Sequence, residues 1–120
     1  HADFSVFPEL FPLTMLSFET RPVRAAEAIA ALKSYTQRSK YMMSKLAVSY
    51  TVNITGGSHP TREADGDVHN TSYVFLRDGS IHEQHKIHPT PNERYWWNIK
   101  GGERANVIDA ACGPIGVLIC

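Results

Sequence analysis

The sequence predicts one domain of mixed α and β type (α/β, or α+β). Three observations predict it: short apolar runs rich in β-formers, two amphipathic stripes at helical spacing, and an Asp78-Gly79 turn between two alternating segments. With 120 residues, 42% hydrophobic and 20% charged, the chain has enough apolar material for one modest core. It contains no internal repeat, low-complexity segment or linker, so residues 1–120 are read as one unit.

Residues 3–7 form the first apolar run, and Pro8 closes it, predicting a buried strand whose end presents Glu9. Residues 10–18 are apolar without a clean period and are read as loop or a short helical turn. Pro22 suits a first helical turn, and Ala25, Ile29 and Leu32 share one face, so a helix is predicted over residues 22–34. Met42, Met43, Leu46 and Ala47 make a second stripe, which predicts another helix running to about Val48. A strand over residues 50–55 ends at Gly56-Gly57, and residues 58–70, polar and holding Pro60 and Asp65-Gly66, are read as a loop.

The clearest local pattern is a hairpin of residues 71–76 and 81–87 around Asp78-Gly79. Period two puts His82, Gln84 and Lys86 on one face of its second strand, so Lys86 sits on a mixed polar face. Residues 89–102 hold two Pro, two adjacent Gly and Tyr95-Trp96-Trp97, which suggests an ordered surface loop with aromatic anchors. Residues 106–110 and 115–120 are two further strands joined across Cys112-Gly113-Pro114, the second a buried strand delivering the Cys120 thiol to its carboxyl end.

Composition excludes several classes of partner. Twelve basic and twelve acidic side chains cancel, leaving no footprint for nucleic acid or an anionic membrane surface. No apolar run approaches the roughly 20 residues that span a bilayer, and the first residues lack the pattern of a signal peptide, so a cytoplasmic protein is expected. Two cysteines make no disulfide framework, and Cys112 reads as a small buried hydrophobe. The patterns at Asn53 and Asn70 that match glycosylation acceptors are read as accidental.

Glutamate, lysine and cysteine at three strand ends are the ingredients of a nucleophilic hydrolase. A thiol needs a base or a positive neighbour to ionise at neutral pH. A desolvated carboxylate can be that base, and a buried lysine can supply charge for the thiolate and for an oxyanion. Spacing alone makes this set unspecific. A rival is a zinc site of His82, His85 and His88 with Glu83 or Glu93, against which strand alternation argues. Gly56-Gly57-Ser58 lacks the spacing of a phosphate loop, and Trp96 and Trp97 read as packing residues in preference to a stacking platform. A non-catalytic binding or assembly module that meets a partner around Trp96 and Trp97 is the alternative from another class.

Taken in order, Phe7-Pro8-Glu9-Leu10, Gly56-Gly57-Ser58, Asn70 through Asp78-Gly79, Lys86-Ile87-His88-Pro89-Thr90-Pro91 with Glu93 beyond, and Cys112 through Cys120 resemble the carbon–nitrogen hydrolase family, or nitrilase superfamily. The resemblance covers nearly the whole chain. It implies Glu9 as general base, Lys86 as the group that stabilises the tetrahedral intermediate, Cys120 as nucleophile and Glu93 as a substrate- and lysine-positioning residue. It further implies a small-molecule amide or nitrile substrate, amide before nitrile, a thioester intermediate, no metal or organic cofactor, and a homodimer or larger assembly.

The fold it implies is a four-layer α-β-β-α sandwich, of which about the first half is represented. Within the family the long polar segment over residues 58–70 and the Tyr95-Trp96-Trp97 segment look closest to a subgroup joined to an acetyltransferase-like domain. The missing initiator Met and opening strand, and a last residue that carries the chemistry, predict a fragment truncated at both ends, inactive and aggregation-prone by itself.

Overall fold

In the computed structural model, which describes residues 2–120, β1 (Phe4–Glu9) lies parallel to β2 (Asn53–Arg62) at one edge of a five-stranded sheet. β2 pairs antiparallel with β3 (Val68–Phe75), and β3 with β4 (Ile81–His85). The short β5 (Ile99–Lys100) adds in parallel beside Val68 and His69 of β3. A separate hairpin is formed by β6 (Val107–Ala110) and β7 (Gly113–Gly116). Pro8 is tolerated because β1 is an edge strand and its register runs from Phe7 to Glu9 without pairing the proline.

Residues 11–18 form a 3-10 helix, Phe11–Phe18, the short helical turn that the sequence allowed. The two predicted helices are one, α1 (Ala25–Ser49). Residues 35–41 carry no apolar stripe, but they also hold no Gly or Pro, and an established helix propagates through such a stretch without a new nucleation cost. Met43 and Ala47 pack on Ile54, Tyr73 and Phe75, with Phe7, Phe11 and Val52 around them. The start of α1 joins a second cluster of Ile29, Val68 and Ile99 against Trp97.

Two sequence-based boundaries are corrected by β2. Gly56-Gly57 does not end the strand, and residues 58–62 are strand where a loop was expected. The register advances from Thr55 opposite Val74 to Ser58 opposite Ser72, so one extra residue is inserted as a β-bulge. Gly57 takes φ +72°, and a Cβ there would stand 2.4 Å from the carbonyl oxygen of Pro8, so only glycine fits. Because side chains alternate with period two, the extra residue moves Ser58 onto the face shared with Ser72 and Asn70.

The predicted hairpin is present. Asp78 Oδ1 accepts from the backbone N–H of Ser80 at 2.8 Å, and Gly79 adopts φ +93°. The expected loop over residues 89–102 instead contains α2 (Pro91–Trp97), which Thr90 opens with a capping box to Glu93. Trp97 anchors it, its Nε1 donating to the Ala25 carbonyl at 2.8 Å, while Tyr95 and Trp96 stay exposed. The C-terminal segment is also corrected. Only Gly113–Gly116 pairs as a strand, and it is not buried: Ile115, Val117 and Ile119 are half-buried while Leu118 and Cys120 are exposed. Ile115 and Val117 pack with Ile108 on Val74 and Leu76, covering part of the sheet face opposite α1. Among the described residues no helix is long and apolar enough to cross a membrane.

Candidate active site

Glu9 ends β1, Asn70 lies on β3, Lys86 follows β4 and Glu93 sits in the first turn of α2. The sheet brings these four together on the face away from α1. Lys86 Nζ donates to Glu9 Oε1 at 2.7 Å and to Glu93 Oε2 at 2.9 Å, and its side chain is 3% exposed. The Lys86 main chain is fixed as well, since its N–H donates to Asn70 O and its carbonyl accepts from Gly102 N–H, both at 2.8 Å.

Glu93 is fixed from several directions. Its Oε2 accepts from the Thr90 backbone N–H at 2.7 Å and the Thr90 hydroxyl at 2.8 Å, and its Oε1 accepts from Asn70 Nδ2 at 2.8 Å. Burial pushes this carboxyl up, but the hydrogen bonds from Lys86, Thr90 and Asn70 outweigh that and hold it at about 2. Burial likewise pushes Lys86 down, and the hydrogen bonds and charges of Glu9 and Glu93 reverse the sign and raise it. The cluster is therefore one ammonium between carboxylates, with Glu93 and Lys86 charged at neutral pH. A buried ion pair needs further hydrogen bonds to offset desolvation, and Thr90 and Asn70 supply them to Glu93 here.

Cys120 lines a cleft of about 230 Å³ together with Glu9, Ser58 and Ser72 on the polar side and Val6, Phe7 and Leu118 on the apolar side. All four residues singled out from the sequence, Glu9, Lys86, Glu93 and Cys120, thus belong to one region, with Lys86 and Glu93 behind Glu9 and Cys120 at the cleft wall. Sequence reasoning assigned no role to Asn70 or Thr90. The Thr90-x-x-Glu93 spacing is itself a helix-start signature and could have placed Thr90. Asn70 opens one of the motifs that carry the resemblance, but nothing local shows what it bonds, because its partners come from β1 and α2. Both Asn53 and Asn70 are buried, their side chains engaged inside the fold.

The rival histidines diverge. His82 Nε2 lies 3.3 Å from Ser80 Oγ, His85 stacks on His69 with Nε2 3.6 Å from Glu63, and His88 is exposed. Among the described residues no group of three or more His, Cys, Asp or Glu is placed to hold a metal ion.

The chain is 45% identical, over 99% of its length, to a Bacillus subtilis (strain 168) protein named probable hydrolase YhcX, and it spans 23% of that relative. It superposes on the crystal structure of a carbon-nitrogen hydrolase from Helicobacter pylori G27 with TM-score 0.75 and 25% identity, covering 98% of this chain and 39% of that one. Saccharomyces cerevisiae Nit3, a member of branch 10 of the nitrilase superfamily, gives TM-score 0.71 at 23% identity, over 98% of this chain and 42% of that one. The mixed α and β arrangement is thus that of the nitrilase fold over the part represented. The family model described as carbon-nitrogen hydrolase matches residues 1–120, and the chain belongs to that family.

Proposed function

We propose that the protein hydrolyses non-peptide carbon–nitrogen bonds, an amide in preference to a nitrile, with Cys120 as nucleophile, Glu9 as general base and Lys86 as oxyanion stabiliser. The observation that supports this reading is the convergence of Glu9 and Cys120 on one cleft, with Lys86 bonded directly to Glu9. The B. subtilis relative is named a probable hydrolase, and hydrolysis is the reaction class carried over here.

Glu9 takes the thiol proton as Cys120 Sγ bonds to the acyl carbon, and the C=O electron pair moves onto oxygen. An ammonium has three N–H donors, and Lys86 spends two on Glu9 and Glu93, which leaves one for that oxyanion. An amide carbonyl generates such an oxyanion, whereas the first adduct of a nitrile carries its charge on nitrogen. Collapse breaks the C–N bond, and the leaving amine departs with the proton from Glu9. Water, deprotonated by Glu9, then attacks the thioester, releasing a carboxylic acid and restoring the thiol. Glu93, held by Thr90, keeps Lys86 in place throughout.

Ammonia or amine release by the full-length protein from a panel of small amides and nitriles tests this. Turnover of amides with mass-detected acylation of Cys120 is expected, and Cys120→Ala should lower kcat at least about 10³-fold. No turnover on either class, with Cys120 inert to an electrophile, would overturn it.

A further inference from the structure

The two carboxylates of the site are bridged twice. Lys86 makes one bridge, and the side-chain amide of Asn70 makes the other, donating to Glu9 Oε1 at 2.9 Å and to Glu93 Oε1 at 2.8 Å. Asn70 is fully buried on β3. Its NH₂ group has two hydrogens, and both go to carboxylates; its Oδ1 is buried with no partner among the described residues. Donation alone therefore sets the orientation of this side chain, because ionised carboxylates only accept.

The division of oxygens is uneven. On Glu93, Oε1 takes Asn70 while Oε2 takes Lys86 and Thr90, so both oxygens are engaged. On Glu9, Lys86 and Asn70 converge on the same atom, Oε1, and Oε2 receives no hydrogen bond from any described residue. Lys86 by itself is a point charge on a rotatable stem and would let the Glu9 carboxylate turn about it. A second donor, rigidly placed by the sheet, stops that rotation.

We propose that Asn70 is a positioning residue, whose amide commits Oε1 of Glu9 to the buried network and so reserves Oε2 as the oxygen that exchanges protons with Cys120 and with the hydrolytic water. The inference rests on the hydrolase reading above. It adds a residue from β3 to the machinery, and it accounts for a fully buried amide whose carbonyl oxygen is left bare.

Two variants of the full-length protein separate positioning from packing. Asn70→Ala removes the donors and the volume, whereas Asn70→Asp keeps the shape and replaces NH₂ by oxygen. The charged groups facing position 70 are Glu9 from β1, Glu93 from α2 and Lys86 after β4, so an Asp there meets two carboxylates and its pKa rises. Once protonated, it again has a hydrogen to donate.

Both variants should lose roughly 10- to 100-fold in kcat at neutral pH, with KM within about threefold of wild type. The activity of Asn70→Asp relative to wild type should climb as pH falls, while that of Asn70→Ala should not. Iodoacetamide labelling of Cys120 against Cys112 should follow the same order without substrate, and melting temperature checks the fold; should Asn70→Ala not fold, the pH trend of Asn70→Asp carries the test alone. Wild-type kcat in the folded variants, or the same pH-independent loss in both, would overturn the role of Asn70. Wild-type protein with no turnover and Cys120 no more reactive than Cys112 would overturn the hydrolase reading itself, and this inference with it.

Discussion

The two faces of the sheet draw on the same strands and bury polar groups in opposite ways. Toward α1, Thr71, Tyr73 and Phe75 alternate along β3, and His59 of β2 is buried beside them against Thr36 of α1 at 2.9 Å. Thr36 Oγ1 also lies 3.0 Å from the Leu32 carbonyl, and His59 Nδ1 is buried with no hydrogen-bond partner among the described residues. On the other face, Asn70 and Ser72 alternate with those residues and look onto Glu9, Lys86 and Glu93. One face keeps its buried histidine uncharged, and the other keeps charges and surrounds them with donors.

The difference follows from what each face offers. Burial pushes His59 down to about 4, with Lys40 contributing in the same direction, and among the described residues no acidic partner opposes it. Burial pushes Glu93 the unfavourable way too, but Lys86, Thr90 and Asn70 reverse it. Desolvation alone selects the neutral form; desolvation with an opposite charge and several hydrogen bonds selects the ionised one. The helix face therefore buries a neutral group, and the site face buries ionised ones.

Breaking the charged face should have the largest effect. Lys86→Met leaves carboxylates buried without their counter-ion and should cost about 3–5 kcal/mol by urea unfolding, together with loss of turnover. A loss of turnover with unchanged unfolding would mean that the carboxylates find water or another partner.

The contrast between faces also predicts how acid unfolds the protein. His59 is depressed from 6.5 to about 4, so its stabilising contribution is present above pH 6.5 and is lost as pH falls through 4. Over that window the loss should be about 3.5 kcal/mol, from roughly 2.5 pH units at about 1.4 kcal/mol each. Glu93, depressed from 4.5 to about 2, loses its contribution only below pH 4.5. The helix face thus yields first, and His59→Gln should flatten the stability profile between pH 6.5 and 4.5 while leaving the decline at lower pH. A profile identical to wild type would show that the histidine is not the group titrating.

The smallest effect should come from trimming the helix face. Phe75→Leu exchanges one core side chain for another beside Met43 and Ala47 and should cost about 1 kcal/mol, with kcat and KM unchanged. A kinetic change there would mean that the two faces are coupled through β3.

Much of this was legible locally. The Asp78-Gly79 hairpin, the existence of a strand that ends at Glu9, and the helical stripes at Ile29, Leu32, Met43 and Ala47 follow from turn chemistry and apolar spacing, although that strand is an edge strand with Val6 exposed and not the buried one expected. The errors in β2 have two causes. Residues 58–62 look like a loop because they are polar, yet Ser58 and His59 are buried, Ser58 on the site face and His59 against Thr36, and only Arg62 at the strand end is exposed, so binary patterning misreads them. Gly56-Gly57 reads as a strand end because glycine marks both turns and bulges, and only pairing with β1 and β3 separates the two.

By itself the sequence determined the elements with strong local signals, the neutral charge balance, and the ordered set of motifs whose resemblance marks Glu9, Lys86, Glu93 and Cys120. The tertiary structure alone decided that β1, β3, β4 and α2 meet on one face, that Asn70 and Thr90 complete the network, and that Cys120 lies exposed at a cleft and not at the end of a buried strand. The physical reason is that hydrogen bonds between residues far apart in sequence leave no periodicity behind them. A buried asparagine has the same local signature as one in a turn until its partners arrive from other strands.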